Sequence, residues 1–262
     1  MADKPLEGKI ALITGGSRGI GGAITQKLAS QGADVIINYF RKRESAETTA
    51  EEARKKDVSA HIIKANIDEE EKINRMFAEI KERFGRLDIL VNNAASGVAR
   101  SALELDSKGW DWTMDINAKA ALLCSQQTVE MMPDGGKIVN ISSLGSHLVL
   151  PKYAAVGISK AALEALTRYL AVELAPRGIA VNCIAASAVK TEALKVYFEG
   201  MEERLLKTIP AGRMVEPQDI AGLVAFLCSE EAFMIRGQII IIDGGRSLIP
   251  AGYTQEQDDK QG

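Results

Sequence analysis

The chain has 262 residues, with 32 Lys and Arg against 35 Asp and Glu for a formal net charge of −3; 46% of the residues are hydrophobic and 26% charged. That length allows one or two domains and a sizeable buried core, and the composition excludes a disordered or collagen-like chain. The slight acidity, with no basic block, argues against nucleic acid as a partner.

Short apolar runs alternate with longer amphipathic stretches along the chain. Residues 9–14 (KIALIT) form a run that ends in glycines, and 17–31 follow with helix-like spacing. A second run at 33–39 (ADVIINY) precedes a charged helix over 43–56, and a third at 60–64 precedes a helix over 69–84. The fourth run, 86–91 (RLDILV), leads into a long helical region at 105–132. The fifth strand is 136–141 (GKIVNI), followed by a helix over 153–175, and the sixth is 179–184 (IAVNCI). Helices are expected at 192–207 and 217–229, and the last strand is 238–242 (QIIII). Strands alternating with helices this long make β-α-β units and a parallel sheet. The runs are continuously apolar, as burial on both faces requires. Right-handed crossovers then give an α/β fold with a doubly wound, parallel seven-stranded sheet. No linker interrupts the pattern, so residues 1–250 read as a single domain. The polar stretch 251–262 reads as a mobile tail.

Some residue types inform by their scarcity. Cys124, Cys183 and Cys228 are scattered and form no C-x-x-C pair, which fits a reducing compartment rather than a disulfide framework. Two histidines, His61 and His147, are too few for a His-rich zinc site, and no metal is expected. The start lacks an apolar signal core, and no apolar run approaches the roughly 20 residues of a membrane span. A cytoplasmic protein with no membrane partner is expected.

The segment Thr14-Gly15-Gly16-Ser17-Arg18-Gly19-Ile20-Gly21 lies between the first strand and the first helix. Gly15, Gly19 and Gly21 let backbone amides approach a pyrophosphate at the helix N-terminus. No Gly-Lys-Ser/Thr follows, so this is not a P-loop. NAD-binding chains place an acid at the end of the second strand. Here that place reads Asn38-Tyr39-Phe40-Arg41-Lys42-Arg43, with Arg18 adding a further cation. Guanidinium groups suit a 2′-phosphate dianion, so NADPH is favoured over NADH. At least one of the three cations at 41–43 reads as a solvated helix-start residue.

The glycine loop, Asn92-Asn93-Ala94-Ala95, Asn117, Ser142-Ser143, and Tyr153 with Lys160 together resemble the short-chain dehydrogenase/reductase family, over residues 6–249. The resemblance implies a Rossmann-type fold. It also implies a Tyr acid, a Lys that holds the nicotinamide ribose and lowers the Tyr pKa, and assistance from Ser143 and Asn117. Asn117 also reads as a helix-kink residue. By the same resemblance the cofactor contacts are Gly15, Ser17, Arg18, Gly19, Ile20, Gly21, Asn38, Arg41, Asn66, Ile67, Asn93, Lys160 and Val189. A homotetramer pairing the helices near 105–132 and 153–175 is implied as well.

The family's usual spacing is Tyr-x-x-x-Lys, yet four residues before Lys160 stands Val156, and the available tyrosine is Tyr153, seven residues before it. Seven residues are two turns, so both side chains share a face, with the Tyr about 10 Å along the axis. In a ketone the carbon that accepts hydride carries the oxygen. In an enoyl thioester the developing negative charge lies two bonds further away, which suits a more distant phenol. Tyr-x6-Lys is the spacing of the enoyl-acyl-carrier-protein reductases in this family. The stretches NNAASG, WDWTM, AALEALTRYLAVEL, PAGRMV, MIRG and DGGRSL resemble their Bacillus-type, NADPH-dependent class most, and Ala185-Ala186-Ser187-Ala188, where common reductases carry Pro-Gly, resembles the enoyl reductases more. Ser143 stands where many enoyl reductases have another tyrosine, and reads either as a helper on the substrate oxygen or as a turn hydroxyl.

The expected activity is therefore NADPH-dependent reduction of a trans-2-enoyl thioester on acyl carrier protein, or a CoA analogue. The alternatives are a β-ketoacyl or other carbonyl reductase and a non-enzymatic NADP-binding regulator. A substrate lid is expected at about 188–210. Lys190, Lys195, Arg204 and Lys207 are candidate contacts for an acidic carrier, or a solvated face. Trp110 and Trp112 read as packing residues, and His147 as structural.

Overall fold

The computed structural model describes residues 4–190 and 206–249. Seven strands, β1 (Ile10–Ile13), β2 (Asp34–Tyr39), β3 (Ala60–Lys64), β4 (Ile89–Asn92), β5 (Lys137–Ser143), β6 (Ala180–Ala186) and β7 (Ile239–Ile242), form one sheet in the order β3-β2-β1-β4-β5-β6-β7. Every neighbouring pair is parallel. The helices are α1 (Gly19–Ser30), α2 (Arg43–Arg54), α3 (Glu70–Phe84), α4 (Ser107–Met114), α5 (Ala120–Met131), α6 (Ala154–Glu173) and α7 (Pro217–Cys228).

Alternate residues of the central strands feed two separate cores, which is why these strands read as unbroken apolar runs. Ala11 and Ile13 of β1, with Val35, Ile37 and Val91, pack under Ile24 and Leu28 of α1 and Ile220 and Val224 of α7. Leu12, Ile36 and Leu90 face the other way, against Ile73, Phe77 and Ile80 of α3 and Cys124 of α5. The strand order reverses between β1 and β4, so their carboxyl ends open a crevice where ligands of such sheets bind.

Two expectations shift. The helix at 105–132 is broken, because one wide turn, Asp115–Lys119, separates α4 from α5. The cause is Asn117, turned inward. Its Oδ1 accepts from the Ser96 amide at 2.9 Å, and its Nδ2 donates to the Ser96 carbonyl and to Ser159 Oγ, both at 2.9 Å. A single inserted residue of this kind is a π-bulge, a common device at functional sites. Strands β5 and β6 also run further than their apolar cores, pairing Ser142 with Ala185 and Ser143 with Ala186. The helix expected at 192–207, most of the lid, Lys195, Arg204 and the tail at 251–262 fall at least in part outside the described residues.

A buried polar chain ties the sheet to the helices behind it. Asn92 Nδ2 donates to Asn140 Oδ1 at 2.9 Å, and Asn140 Nδ2 donates to Thr167 Oγ1 at 2.8 Å. Asn140 has 0% exposure. Removing it leaves buried donors and acceptors unpaired, so Asn140→Ala is expected to lower unfolding free energy by about 2–4 kcal/mol in urea titrations. A loss under about 1 kcal/mol would contradict the role given to this chain.

Candidate active site

The crevice above β1 and β4 is a cleft of about 480 Å³ lined by Gly15, Ser17, Arg18, Gly19, Ile20, Asn38, Arg41, Lys42, Asn66, Ile67 and Asp68. Its glycine loop can follow only one path. Gly15 and Gly19 have φ of +62° and +54°, the left-handed region that favours glycine. A Cβ on Gly21 would stand 2.3 Å from the Gly15 carbonyl oxygen and 2.5 Å from Asn93 Nδ2. Asn93 staples the loop, donating from Nδ2 to the carbonyls of Thr14 at 2.9 Å and Gly15 at 3.2 Å. Asn38 braces it from the other side: Oδ1 accepts from the Gly15 amide at 3.2 Å and Nδ2 donates to the Ala65 carbonyl at 3.1 Å. The first turn of α1 carries no acid and no side-chain cap, leaving its positive end for an anion.

Cations gather where a 2′-phosphate would lie. Arg18, Arg41 and Lys42 line the cleft, with the Arg41 guanidinium 5.4 Å from the centre of the Phe40 ring. Arg43 does not line it and pairs with Glu47 on the exposed face of α2 at 3.2 Å. Asp68 also faces this cleft, and no sequence signal picked it out. Burial raises its pKa, with Glu69 adding to the rise, and the Trp112 side chain, hydrogen-bonded to it, opposes. Among the described residues Asp68 Oδ1 is buried with no hydrogen-bond partner. Trp112, read from sequence as a packing residue, thus lines the cleft.

A second cavity of about 220 Å³ shares Ile20, Asn93 and Ala95 with the first. Its walls are mainly apolar, including Leu144, Leu148, Leu150, Val156 and Val189, and into them are set Ser143, Tyr153 and Lys160. Tyr153 stands immediately before α6, and its hydroxyl lies 3.3 Å from Ser143 Oγ. The ring lies against Gly145, where a Cβ would meet Cε1 at 2.6 Å. Val156 is 6% exposed and packs on Gly97, where a Cβ would meet its Cγ2 at 2.3 Å. Lys160 is 5% exposed and donates from Nζ to the Ile141 carbonyl at 2.7 Å. Burial lowers its pKa to about 8, with Cys183 and Glu164 opposing. Burial raises the Tyr153 pKa, with the Ser143 hydrogen bond opposing, whereas the resemblance implies a lowered phenol.

A profile of the family described as Enoyl-(Acyl carrier protein) reductase matches residues 15–247. The 3-oxoacyl-[acyl-carrier-protein] reductase FabG of Aquifex aeolicus is 40% identical over 245 residues, which are 92% of this chain and 98% of that protein. The 1-cyclohexenylcarbonyl-CoA reductase of Streptomyces collinus is 36% identical over 245 residues, 92% of this chain and 88% of that protein. Among solved structures, a short-chain dehydrogenase/reductase from Serratia marcescens superposes with a TM-score of 0.88 at 35% identity, covering 93% of this chain and 99% of the other. The angucycline C-6 ketoreductase LanV with bound NADP gives 0.88 at 36% identity, covering 94% and 98%. The chain belongs to the short-chain dehydrogenase/reductase family.

In this short-chain dehydrogenase/reductase the sequence-derived residues divide by place. Gly15, Ser17, Arg18, Gly19, Ile20, Asn38, Arg41, Asn66, Ile67 and Asn93 line the first cavity, and Ser143, Tyr153, Lys160 and Val189 the second. Gly21 lies beneath the loop and Asn117 behind α6. The side chains of Asn38 and Asn93 support the loop. His147 stands outside both cavities, 2.9 Å from Glu164. Among the described residues no helix is long and apolar enough to cross a membrane.

The buried lysine has a signature in stability. Its folded pKa lies below the unfolded value of roughly 10.4, so between about pH 8 and 10.4 the unfolded chain binds the extra proton and stability rises with pH. Wild type is therefore expected to gain about 2 kcal/mol relative to Lys160→Met between pH 7.5 and 9.5. Urea titrations of the two proteins that keep a constant difference would contradict this.

Proposed function

We propose that the chain reduces the conjugated double bond of a trans-2-enoyl thioester, carried on acyl carrier protein or coenzyme A, with NADPH as reductant. One observation carries this reading: Tyr153 is the phenol lining the substrate cavity among the described residues, while Val156 fills the helix position four residues before Lys160. A valine cannot donate to an oxyanion, and a phenol nearly a turn further back suits an oxygen remote from the carbon that accepts hydride.

The cleft fits the cofactor. The uncapped, acid-free N-terminus of α1 suits a pyrophosphate, Arg18, Arg41 and Lys42 suit a 2′-phosphate, and the Asp68 Oδ1 left without a partner among the described residues suits an N–H donor such as the adenine amine. NADPH supplies a hydride, which in an enoyl thioester goes to the β-carbon and leaves negative charge on the thioester oxygen. Tyr153 donates its hydroxyl hydrogen bond to that oxygen as the charge develops, and a proton taken up at the α-carbon, from solvent or from Tyr153, completes the saturated thioester. Ser143 orients the phenol, and the Lys160 ammonium holds the ribose side of the site. Leu144, Leu148, Leu150 and Val189 exclude water and accept the acyl chain.

The family description names the same substrate class, and the Streptomyces relative is named for a thioester conjugated with a ring alkene. The second reading, reduction of a β-ketoacyl thioester or another carbonyl, is favoured by the names of the Aquifex relative and of LanV. None of the four proteins named above is a Bacillus-type enoyl reductase. Lys190 and Lys207 could meet an acidic carrier. The outer face of α6 exposes Tyr169 and Val172, at 71% and 76%, as surface a second copy would cover in the homotetramer the family resemblance implies.

NADPH oxidation with crotonyl thioester and with acetoacetyl thioester, each repeated with NADH, separates the readings. Turnover of crotonyl thioester with NADPH is expected. Activity only on the keto substrate would establish the second reading, and NADPH binding without turnover would leave a regulator. Tyr153→Phe is expected to lower kcat about 10²–10³-fold with little change in NADPH affinity; a fully active variant would remove Tyr153 from the chemistry.

A further inference from the structure

Glu164 has no part in the chemistry above, yet its carboxylate is buried on α6, one turn beyond Lys160, with 3% exposure. A carboxylate is costly to bury unless its oxygens are satisfied. Here a single segment satisfies both. Oε1 accepts from Ser142 Oγ at 2.6 Å and from Ser146 Oγ, while Oε2 lies 2.9 Å from His147 Nε2. Ser143 sits inside this clasped stretch, with its carbonyl 2.6 Å from Ser146 Oγ and its own hydroxyl against Tyr153. The ionisable groups near the carboxylate are His147 from the loop, Lys160 from α6 and Cys183 from β6. Burial pushes the Cys183 thiol up to about 12, so it is neutral at working pH. Among the described residues Glu164, one turn on along α6, is the acidic side chain that acts on Lys160.

We propose that Glu164 is a positioning residue with two tasks: it holds the 142–147 loop so that Ser143 meets Tyr153, and its charge keeps Lys160 protonated in a buried site. This rests on the reductase reading, since Lys160 and Tyr153 are its working groups. The two tasks are separable. A neutral glutamine can still accept from Ser142, so loop support alone does not require a charge. The lysine does, because burial alone lowers its pKa and the carboxylate opposes that fall.

The test is a set of pH profiles on the full chain for wild type, Glu164→Gln, Glu164→Asp and Ser142→Ala. NADPH affinity is read by fluorescence, kcat/KM with crotonyl thioester and NADPH, and folding by thermal melting. In Glu164→Gln the alkaline limb of both NADPH binding and kcat/KM is expected to move down by roughly one pH unit. Glu164→Asp should keep the wild-type limb at reduced kcat, and Ser142→Ala should lower kcat severalfold with the limb in place. A folded Glu164→Gln protein whose limb stays at the wild-type pH overturns the proposal, whatever its kcat. If Glu164→Gln does not fold, wild-type kcat in both other variants overturns it. A wild type that binds NADPH but turns over neither thioester removes the reductase reading separately, while the binding profile still decides the charge role of Glu164.

Discussion

A lysine ammonium buried to 5% exposure governs the layout of this site. Left unpaired, such a charge would cost several kcal/mol or give up its proton. Three elements hold it. The end of β5 offers the Ile141 carbonyl at 2.7 Å, α6 carries it and supplies Glu164 one turn on, and β6 lays a neutral thiol beside it. The long pairing of β5 with β6, through Ser143 and Ala186, carries the sheet up to the lysine and forms a wall of the second cavity. Parallel topology makes this arrangement possible, because it brings the carboxyl ends of β1, β4, β5 and β6 to one edge and leaves the chemistry to the loops above them.

Close backbone approach sets the remaining geometry. Beneath the first cavity Gly21 lies against the Gly15 carbonyl, with no room for a side chain, and Asn93 and Asn38 hold the loop from either side. Over the second, Gly157 passes so near Gly145 that a Cβ on it would meet the Gly145 carbonyl at 2.5 Å, and the Tyr153 ring is seated against the same glycine. The phenol is therefore placed by main chain. Tyr153 stands just before α6 and Lys160 within it, and Val156, wedged against Gly97, fills the intervening helix position without offering a donor.

Much of this was legible in the sequence. The seven apolar runs marked the strands because burial on both faces leaves few polar positions, and the glycine loop marked the crevice because only glycine fits its turns. The spacing of Tyr153 and Lys160 reads as one helix face, whereas Tyr153 stands just before α6 and both line the same cavity; the kink at Asn117 was anticipated from the family resemblance. Other features depend on contacts between distant segments, which periodicity cannot report. Asn38 occupies the strand end where a ribose contact was sought, but its amide is consumed by the loop and by Ala65. Asp68 is informative only because one oxygen is buried without a partner. Glu164 falls within a helix whose pattern says nothing of the loop it clasps. The tyrosine pKa, expected to be lowered, is raised because the ring is buried.

The family supplies an oxidoreductase scaffold, and the proposed choice between two oxygens rests on the position of one phenol. A single competition reaction tests that choice most directly. Equal concentrations of crotonyl and acetoacetyl thioester are mixed with NADPH bearing deuterium at the transferred position, and the acyl products are separated by mass spectrometry. Deuterium is expected in butyryl product, at the β-carbon. Deuterium found in 3-hydroxybutyryl product, with crotonyl thioester unconsumed, would contradict the placement of Tyr153 as the partner of an enolate oxygen.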